Sequence, residues 1–203
     1  MKRIVCALVV ASVVRAAAAD TPRATVERLD QVLLDVLKQA DALGYRGRFE
    51  RLAAPITDAF DLDFMAERSL GGEWQKLSEP ERTRWRELFR QFTIANYAAN
   101  FDRWADQRFE ILGEEAGTSD TRAVRTRVRS SDHDDVDLTY RLRQTDAGWK
   151  IVDVYLKGTV SELALRRADF TAVLDRQGFA KLASTVRARL DDLAAGRGKR
   201  PLR

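Results

Sequence analysis

The chain has 203 residues, with 35 lysines and arginines against 31 aspartates and glutamates and a formal net charge of +4. Seven basic residues lie at the two ends, in residues 1–19 and 197–203, so the body lacks the concentrated basic face of a nucleic-acid-binding protein. The one cysteine, Cys6, excludes an intramolecular disulfide and a thiolate metal cluster. About 180 residues follow residue 19, enough for one domain with its own core.

The first 19 residues have the pattern of a secretory signal peptide. Two basic residues precede an apolar run over residues 4–14, and alanines at 17–19 offer small residues for cleavage. The run is shorter than the about 20 residues that span a bilayer, which disfavours an uncleaved anchor. We predict that residues 20–196 form a single soluble domain. Residues 197–203 are predicted to be a basic disordered tail, with contact to anionic lipid headgroups as the alternative.

Helical periodicity dominates the first half of the remaining chain. Apolar residues three and four apart predict an amphipathic helix over residues 22–42, interrupted near Gly44, and a short helix after it. Asp61 is the predicted N-cap of the next helix. Residues 78–81, Ser-Glu-Pro-Glu, form a capping box and predict the start of a long aromatic helix that extends to about Trp104.

From Arg108 onward the apolar period changes to two, which predicts strands with one solvated face. The last predicted strand, residues 149–156, is apolar on both faces except at Asp153. Two closing helices are predicted on either side of Gly178. Helices followed by strands and then helices predict an α+β fold, with helices packed on one face of a roughly four-stranded antiparallel meander sheet.

Few residues offer catalytic or metal chemistry. There is no P-loop, dinucleotide fingerprint or nucleophile elbow. His133 lies among aspartates in a predicted turn, although those carboxylates also suit a hard cation. Asp153 is either a general acid or base with a raised pKa, or an acid paired with Arg141, Tyr140 or a backbone donor. We favour the turn and the paired acid, and predict no catalytic residue, metal or cofactor.

Two spaced patterns resemble a known family. The first is Pro55-x4-Phe60-Asp61-x3-Met65-Ala66-x3-Leu70-Gly71-x2-Trp74. The second is Tyr140-Arg141-Leu142, then Trp149-Lys150-x2-Asp153-x4-Gly158-x2-Ser161, then Arg167-x2-Phe170. Their order and spacing resemble the MlaC family of periplasmic lipid carriers over about residues 25–193. The form of residues 158–167 looks closer to the hopanoid-associated branch, HpnM.

The resemblance implies a mixed fold with a deep apolar cavity between helices and sheet, without a cofactor or an enzymatic activity. It implies a periplasmic protein that encloses the apolar part of a phospholipid or a hopanoid. It further implies exchange of that lipid with membrane-bound transport complexes of the inner or outer membrane. We expect the carrier to be a monomer.

The expected lining comes from the aromatic helices and the apolar sheet face. We predict the following pocket residues: Phe60, Phe64, Phe89, Phe92, Tyr97, Phe101, Val124, Val128, Val136, Leu138, Tyr140, Leu142, Val152, Val154, Tyr155 and Phe170. Arg167 is the candidate headgroup contact, as a charge-assisted donor to phosphate, with a solvated surface charge as the alternative. The register of the last hairpin leaves two sets of inward residues open, Ile151 with Tyr155 or Val152 with Val154.

Periodicity does not distinguish a hollow core from a filled one. Close packing of protein interiors favours a filled core, whereas the family resemblance favours a hollow one. Two other functions therefore remain as alternatives. One is a small exported hydrolase or isomerase of cone-like α+β fold that uses Asp153, and the other is a periplasmic docking module with a solid core.

Overall fold

The computed structural model describes residues 20–132 and 134–197. The predicted signal peptide, His133 and residues 198–203 of the predicted tail lie outside the described residues. The α-helices are α1 (Pro22–Lys38), α2 (Ala40–Ala59), α3 (Leu62–Leu70), α4 (Glu79–Asn100) and α5 (Glu162–Ala194), with a 3₁₀ helix at Gly71–Lys76 between α3 and α4.

One antiparallel sheet has its strands in sequence order. The strands are β1 (Arg108–Ala116), β2 (Thr121–Arg129), β3 (Val136–Thr145), β4 (Gly148–Leu156) and β5 (Val160–Ser161). The α+β meander is thereby confirmed, with five strands instead of roughly four. The additional strand β5 has only two residues, too few to show a period-two pattern. Positive φ angles at Lys157 and Gly158 turn the chain back so that β5 pairs with the end of β4.

Local sequence signals set the starts of α3 and α4 as predicted. The Asp61 carboxylate accepts a hydrogen bond from the Phe64 backbone N–H at 3.2 Å and caps α3. The Ser78 backbone N–H donates to the Glu81 carboxylate at 2.9 Å, as the capping box requires. These bonds satisfy backbone donors that the first helical turn leaves without an intrahelical partner.

Helix ends depend more on tertiary packing and differ from the prediction. Helix α1 ends at Lys38 instead of residue 42, and Gly44 departs from helical geometry inside α2, with φ 57°. Helix α4 ends at Asn100 instead of Trp104. The Phe101 ring leaves the helix to stack on Phe109 of β1, with 6.3 Å between centroids.

The helices cover the apolar face of the sheet, as predicted, and β2 and β3 alternate buried and more exposed residues. The opposite face of β2 carries charge, where Arg127 pairs with Asp137 at 2.6 Å and Arg129 with Glu110 at 3.2 Å. Within residues 20–132 and 134–197, every helix is too short or too polar to cross a bilayer.

Candidate ligand-binding cavity

A cavity of about 650 Å³ lies between α4, α5 and the β3–β4 face of the sheet. Protein interiors normally contain few voids larger than a water molecule. Engineered apolar cavities of about 150 Å³ already bind benzene. The volume is typical of small-molecule sites, which span about 300–1,000 Å³. This part of the interior is therefore hollow and able to enclose an apolar ligand.

Helix α4 supplies one wall through residues four apart. Phe92, Asn96 and Asn100 lie on one line along the helix, Thr93 and Tyr97 lie on the next, and Phe101 follows directly after the helix end. The aromatic rings contact one another. Tyr97 and Phe101 are stacked with 5.6 Å between centroids, and Phe92 meets Phe170 of α5 edge-on at 5.9 Å. These contacts fix large rings in place without filling the space between the helix and the sheet.

The sheet supplies the opposite wall through two cross-strand pairs. Leu138 of β3 pairs with Leu156 of β4, and Tyr140 pairs with Val154, and all four side chains line the cavity. Leu138 and Tyr140 have 5% and 1% exposure, so this end of the cavity lies deep in the protein.

A bulge in β4 decides which of its residues face inward. Arg141 pairs with Asp153 but Leu142 pairs with Ile151, so Val152 is an extra residue in the ladder. The structure therefore matches neither of the two predicted sets of inward residues. Ile151 of one set packs in the main core, and Val154 of the other set lines the cavity.

Both halves of α5 line the same cavity. The chain leaves helical geometry at Gly178, with φ 75° and ψ 173°, which separates the two predicted closing helices. Residues 162–173 and 182–189 each contribute one helix face. A break is needed because a straight helix of this length would extend past the cavity instead of bordering it twice.

The structure brings half of the predicted pocket residues together. Those that line the cavity are Phe60, Phe92, Tyr97, Phe101, Leu138, Tyr140, Val154 and Phe170. The other eight lie outside the lining: Phe64, Phe89, Val124, Val128, Val136, Leu142, Val152 and Tyr155. Whether the first eight contact a lipid stays a prediction.

The positions of the eight residues outside the cavity lining have physical explanations. The buried hydrophobic core also holds residues that do not line the cavity: Val124, Val128, Val136, Leu142 and Phe89. The Phe64 ring lies under the Arg143 guanidinium, with 4.3 Å from Cζ to the ring centroid. Val152 is the extra residue of the bulge. Tyr155 pairs with Thr139 of β3, and its hydroxyl accepts a hydrogen bond from Arg141 of β3 at 3.3 Å. Thr139 and Arg141 are alternate residues of β3 that do not line the cavity, and Tyr155 lies with them.

The family model described as MlaC protein matches residues 27–188. The chain belongs to the MlaC family. A solved structure described as the phospholipid-binding protein from Ralstonia solanacearum in complex with a phospholipid is similar in fold, with a TM-score of 0.73 and 22% identity. The match covers 84% of this chain and 97% of that chain. No curated protein matches the chain.

In this member of the MlaC family, several motif residues build the scaffold and not the lining. The buried Asp153 carboxylate accepts hydrogen bonds from the Val154 and Leu163 backbone N–H groups, at 2.8 and 3.2 Å. The Ser161 hydroxyl donates to it at 2.7 Å and caps α5 by accepting from the Ala164 N–H. Asp153 therefore fixes the start of α5 and lies outside the cavity lining. Backbone donors compensate its charge, as the paired-acid alternative predicted.

The structure places the predicted headgroup contact Arg167 away from the cavity of this MlaC-family chain. Its guanidinium packs against Gly71 so closely that a Cβ at Gly71 would overlap it. The preceding residue, Arg166, lines the cavity instead, with its Cζ 5.0 Å from the centroid of the Phe92 ring. Successive helical residues point about 100° apart, so Arg166 and Arg167 lie on different faces of α5. Whether either contacts a headgroup stays a prediction.

Replacing Gly71 by alanine should lower the free energy of unfolding by about 1–3 kcal/mol, because it forces a side chain into a left-handed backbone region. Gly71 has φ 55°, and the added Cβ also displaces Arg167. Gly72→Ala is the matched control, since a Cβ there meets nothing within 4 Å. Urea unfolding of both variants checks the prediction. Equal effects at the two positions would contradict it.

The cavity lining includes a polar group on α5 that the sequence analysis missed: Glu162, Arg166, Asp169, Thr185 and Arg189. Their spacing of three or four residues within each closing helix was the available signal. Apolar periodicity alone does not reveal this polar group.

Tyrosine hydroxyls at the cavity are uncharged. Burial raises the pKa of Tyr140 well above its ordinary value. Burial also raises the pKa of Tyr97, and the Arg166 charge opposes that rise only in part. The aromatic wall therefore adds no negative charge at neutral pH.

Aspartates of the acidic turn before β3 pair with arginines. Asp132 pairs with Arg103 and accepts a hydrogen bond from the Ser130 hydroxyl at 2.6 Å. Asp135 lies 3.6 Å from Arg129. Among residues 20–132 and 134–197, no group of three or more acidic, cysteine or histidine side chains is arranged to hold a metal ion.

Proposed function

We propose that the chain is a periplasmic lipid-binding protein that encloses the apolar part of a membrane lipid and carries it between envelope membranes without catalysing a reaction. The hollow space of about 650 Å³ between α4, α5 and the sheet is the observation that carries this proposal. Membership of the MlaC family and the shared fold with a phospholipid-binding protein support it.

The cavity suits this function because an acyl chain cannot cross water at a useful rate unaided. Each methylene moved from water into an apolar environment gains about 0.8 kcal/mol. The buried part of the lining includes Phe60, Tyr140 and Leu182, whereas Asp169 and Arg189 belong to its exposed part. A lipid with its tails at the buried end and its headgroup at the exposed end satisfies both parts of the cavity.

The lipid is a phospholipid or a hopanoid, and its exchange with membrane-bound transport complexes is part of the proposal. Export by residues 1–19 and the hopanoid-associated character of residues 158–167 rest on the sequence pattern. The docking-module alternative requires a solid core, which the cavity does not favour. The enzyme alternative requires Asp153 at the site, but its carboxylate is used to hold α5.

Native mass spectrometry of the chain recovered from its own envelope fraction, followed by organic extraction, tests the proposal. We expect a mass above that of the bare protein and an extractable phospholipid or triterpenoid. A bare-chain mass with no extractable lipid would contradict lipid binding.

Val154→Trp should reduce lipid occupancy without destabilising the protein, because the added ring fills the space that the tails would take. Val124→Trp is the matched control, since Val124 is fully buried and lies outside the cavity lining. Overpacking in the solid core costs about 1–3 kcal/mol. Extracted lipid per protein and urea unfolding are measured for both variants. Full occupancy in Val154→Trp, or equal destabilisation of the two, would place the lipid elsewhere.

A further inference from the structure

Helix α4 presents a stripe of neutral polar side chains to the cavity. This α4 polar stripe consists of four residues that all line the cavity: Thr93, Asn96, Tyr97 and Asn100. Counted from the first, the others follow after three, four and seven residues, which places them on one face of the helix. Apolar walls are sufficient to enclose acyl tails, so this face supplies hydrogen-bonding groups that a saturated tail does not use.

The two asparagines of the stripe present hydrogen-bond acceptors. The side-chain amide nitrogen of Asn96 donates to the backbone carbonyl of Phe92 at 2.6 Å, and that of Asn100 donates to the backbone carbonyl of Asn96 at 2.8 Å. These bonds hold the amide groups against the helix. They use the nitrogen, so each amide oxygen, which has two lone pairs, remains an acceptor. A ligand in the cavity can donate hydroxyl hydrogen bonds to these oxygens.

Thr93 contributes a hydroxyl that lacks a protein partner. The residue lines the cavity with 3% exposure, and its Oγ1 atom makes no hydrogen bond among the described residues. Buried polar atoms without a partner are rare in proteins. Threonine in a helix uses two side-chain orientations, which exchange the hydroxyl with the methyl group. A ligand in the cavity can therefore supply the partner that the protein does not provide.

Tyr97 adds a second hydroxyl, and it is uncharged. Burial raises the pKa of Tyr97, so the phenol keeps its proton at neutral pH. The ring is held between Phe60, which it meets edge-on at 5.7 Å, and Phe101, on which it is stacked at 5.6 Å. The stripe as a whole offers no counter-charge to a phosphate or an ammonium group. Its donors and acceptors match hydroxyl groups, which both donate and accept.

We propose that the α4 polar stripe binds neutral hydroxyl groups on the apolar part of a lipid, so that the cavity prefers a hydroxylated lipid to the same lipid without hydroxyls. The inference rests on the proposed lipid-binding function and names a ligand class. Water offers the same chemistry to the stripe when the tails carry no hydroxyl. A lipid hydroxyl that reproduces the hydrogen bonds of such water takes its place. A wholly apolar cavity has the opposite preference, because burying an unpaired hydroxyl is costly.

The test incubates the full chain with vesicles that contain equal amounts of two phosphatidylethanolamines, which differ only in hydroxyl groups near the middle and the end of their acyl chains. The protein is then re-isolated, and its bound lipids are extracted and counted. We expect about a three- to tenfold excess of the hydroxylated lipid, the range that one or two additional hydrogen bonds give. Equal amounts, or an excess of the plain lipid, would assign the stripe to water and overturn the inference. No bound lipid of either kind would instead overturn the proposed function.

Two threonine variants form a matched pair for this test. Thr93→Val and Thr126→Val each remove a buried hydroxyl that has no partner among the described residues, but Thr126 lies outside the cavity lining. Thr93→Val should lower the ratio of hydroxylated to plain lipid about threefold, whereas Thr126→Val should leave it at the wild-type value. Asn96→Leu combined with Asn100→Leu should bring the ratio to about one or below, because it removes both amide acceptors. Equal ratios in the two threonine variants, or a wild-type ratio in the asparagine variant, would overturn the inference.

Discussion

Asp30→Asn is expected to raise the free energy of unfolding at pH 8 by up to about 4 kcal/mol. This free energy corresponds to the raised pKa of Asp30, since a difference of one pKa unit is worth about 1.36 kcal/mol. Asp30 lies on α1 with 6% exposure, and its Oδ1 atom makes no hydrogen bond among the described residues. Burial, and to a lesser extent the charge of Glu27, raise its pKa from 3.8 to about 7.

The sign of the effect follows from proton uptake. Between about pH 4 and pH 7 the folded protein keeps the Asp30 proton that the unfolded chain has lost, so the free energy of unfolding decreases as pH rises. The stability that the protonated Asp30 allows is fully present below pH 4. It is lost between pH 4 and pH 7, and the free energy of unfolding changes no further on this account above pH 7. Asparagine resembles the protonated acid, and the variant should therefore match the wild type at pH 4 and exceed it at pH 8.

Thermal unfolding across pH 4–8 measures this difference. For a chain of this size, about 1 kcal/mol shifts the midpoint by 2–4 °C, so the gap at pH 8 should be near 10 °C. Glu27→Gln removes only the smaller cause and should reduce the pH dependence without abolishing it. A gap between wild type and Asp30→Asn that stays constant with pH would show that Asp30 does not titrate in this range.

Asp153→Ala is expected to lower the free energy of unfolding by about 3 kcal/mol, because buried donors lose a charged acceptor. The carboxylate holds two backbone N–H groups and the Ser161 hydroxyl. The N-terminal part of α5 loses its attachment to β4, and this part lines the cavity. We therefore expect lipid occupancy to decrease together with stability.

Ser161→Ala provides the graded comparison for Asp153. It removes one of the three donors and the α5 cap, and caps are worth about 1 kcal/mol. Urea unfolding and extracted lipid are measured for both variants. An Asp153→Ala protein as stable as the wild type would contradict the positioning role. Loss of an enzymatic turnover with unchanged lipid content would instead support the exported-enzyme alternative.

Local signals in the sequence were sufficient for the order of the α-helices and of the first four strands. The capping box at residues 78–81 and the cap at Asp61 involve neighbours three residues apart, so they form whatever the tertiary context. The alternating residues of β2 and β3 likewise fixed which face of the sheet meets the helices. Strand β5 escaped prediction because two residues carry no period.

The cavity lining was predictable only in part. Phe92, Tyr97 and Phe101 were found because large aromatic residues at helical spacing mark an inward face. Phe89 has the same signal and is buried, but it does not line the cavity. Periodicity reports that a side chain faces inward, and it does not report whether another element fills the space in front of it.

The sequence by itself determined the α+β class, the starts of α3 and α4 and the buried face of the sheet, because each depends on residues close together in the chain. The tertiary structure decided the hollow volume, the bulge at Val152, and that Arg166 lines the cavity while Arg167 packs against Gly71. It also decided the environment of Asp30. These features depend on how α1, α4 and α5 are positioned against the sheet, since a shift of one residue or a few ångströms changes which side chains meet.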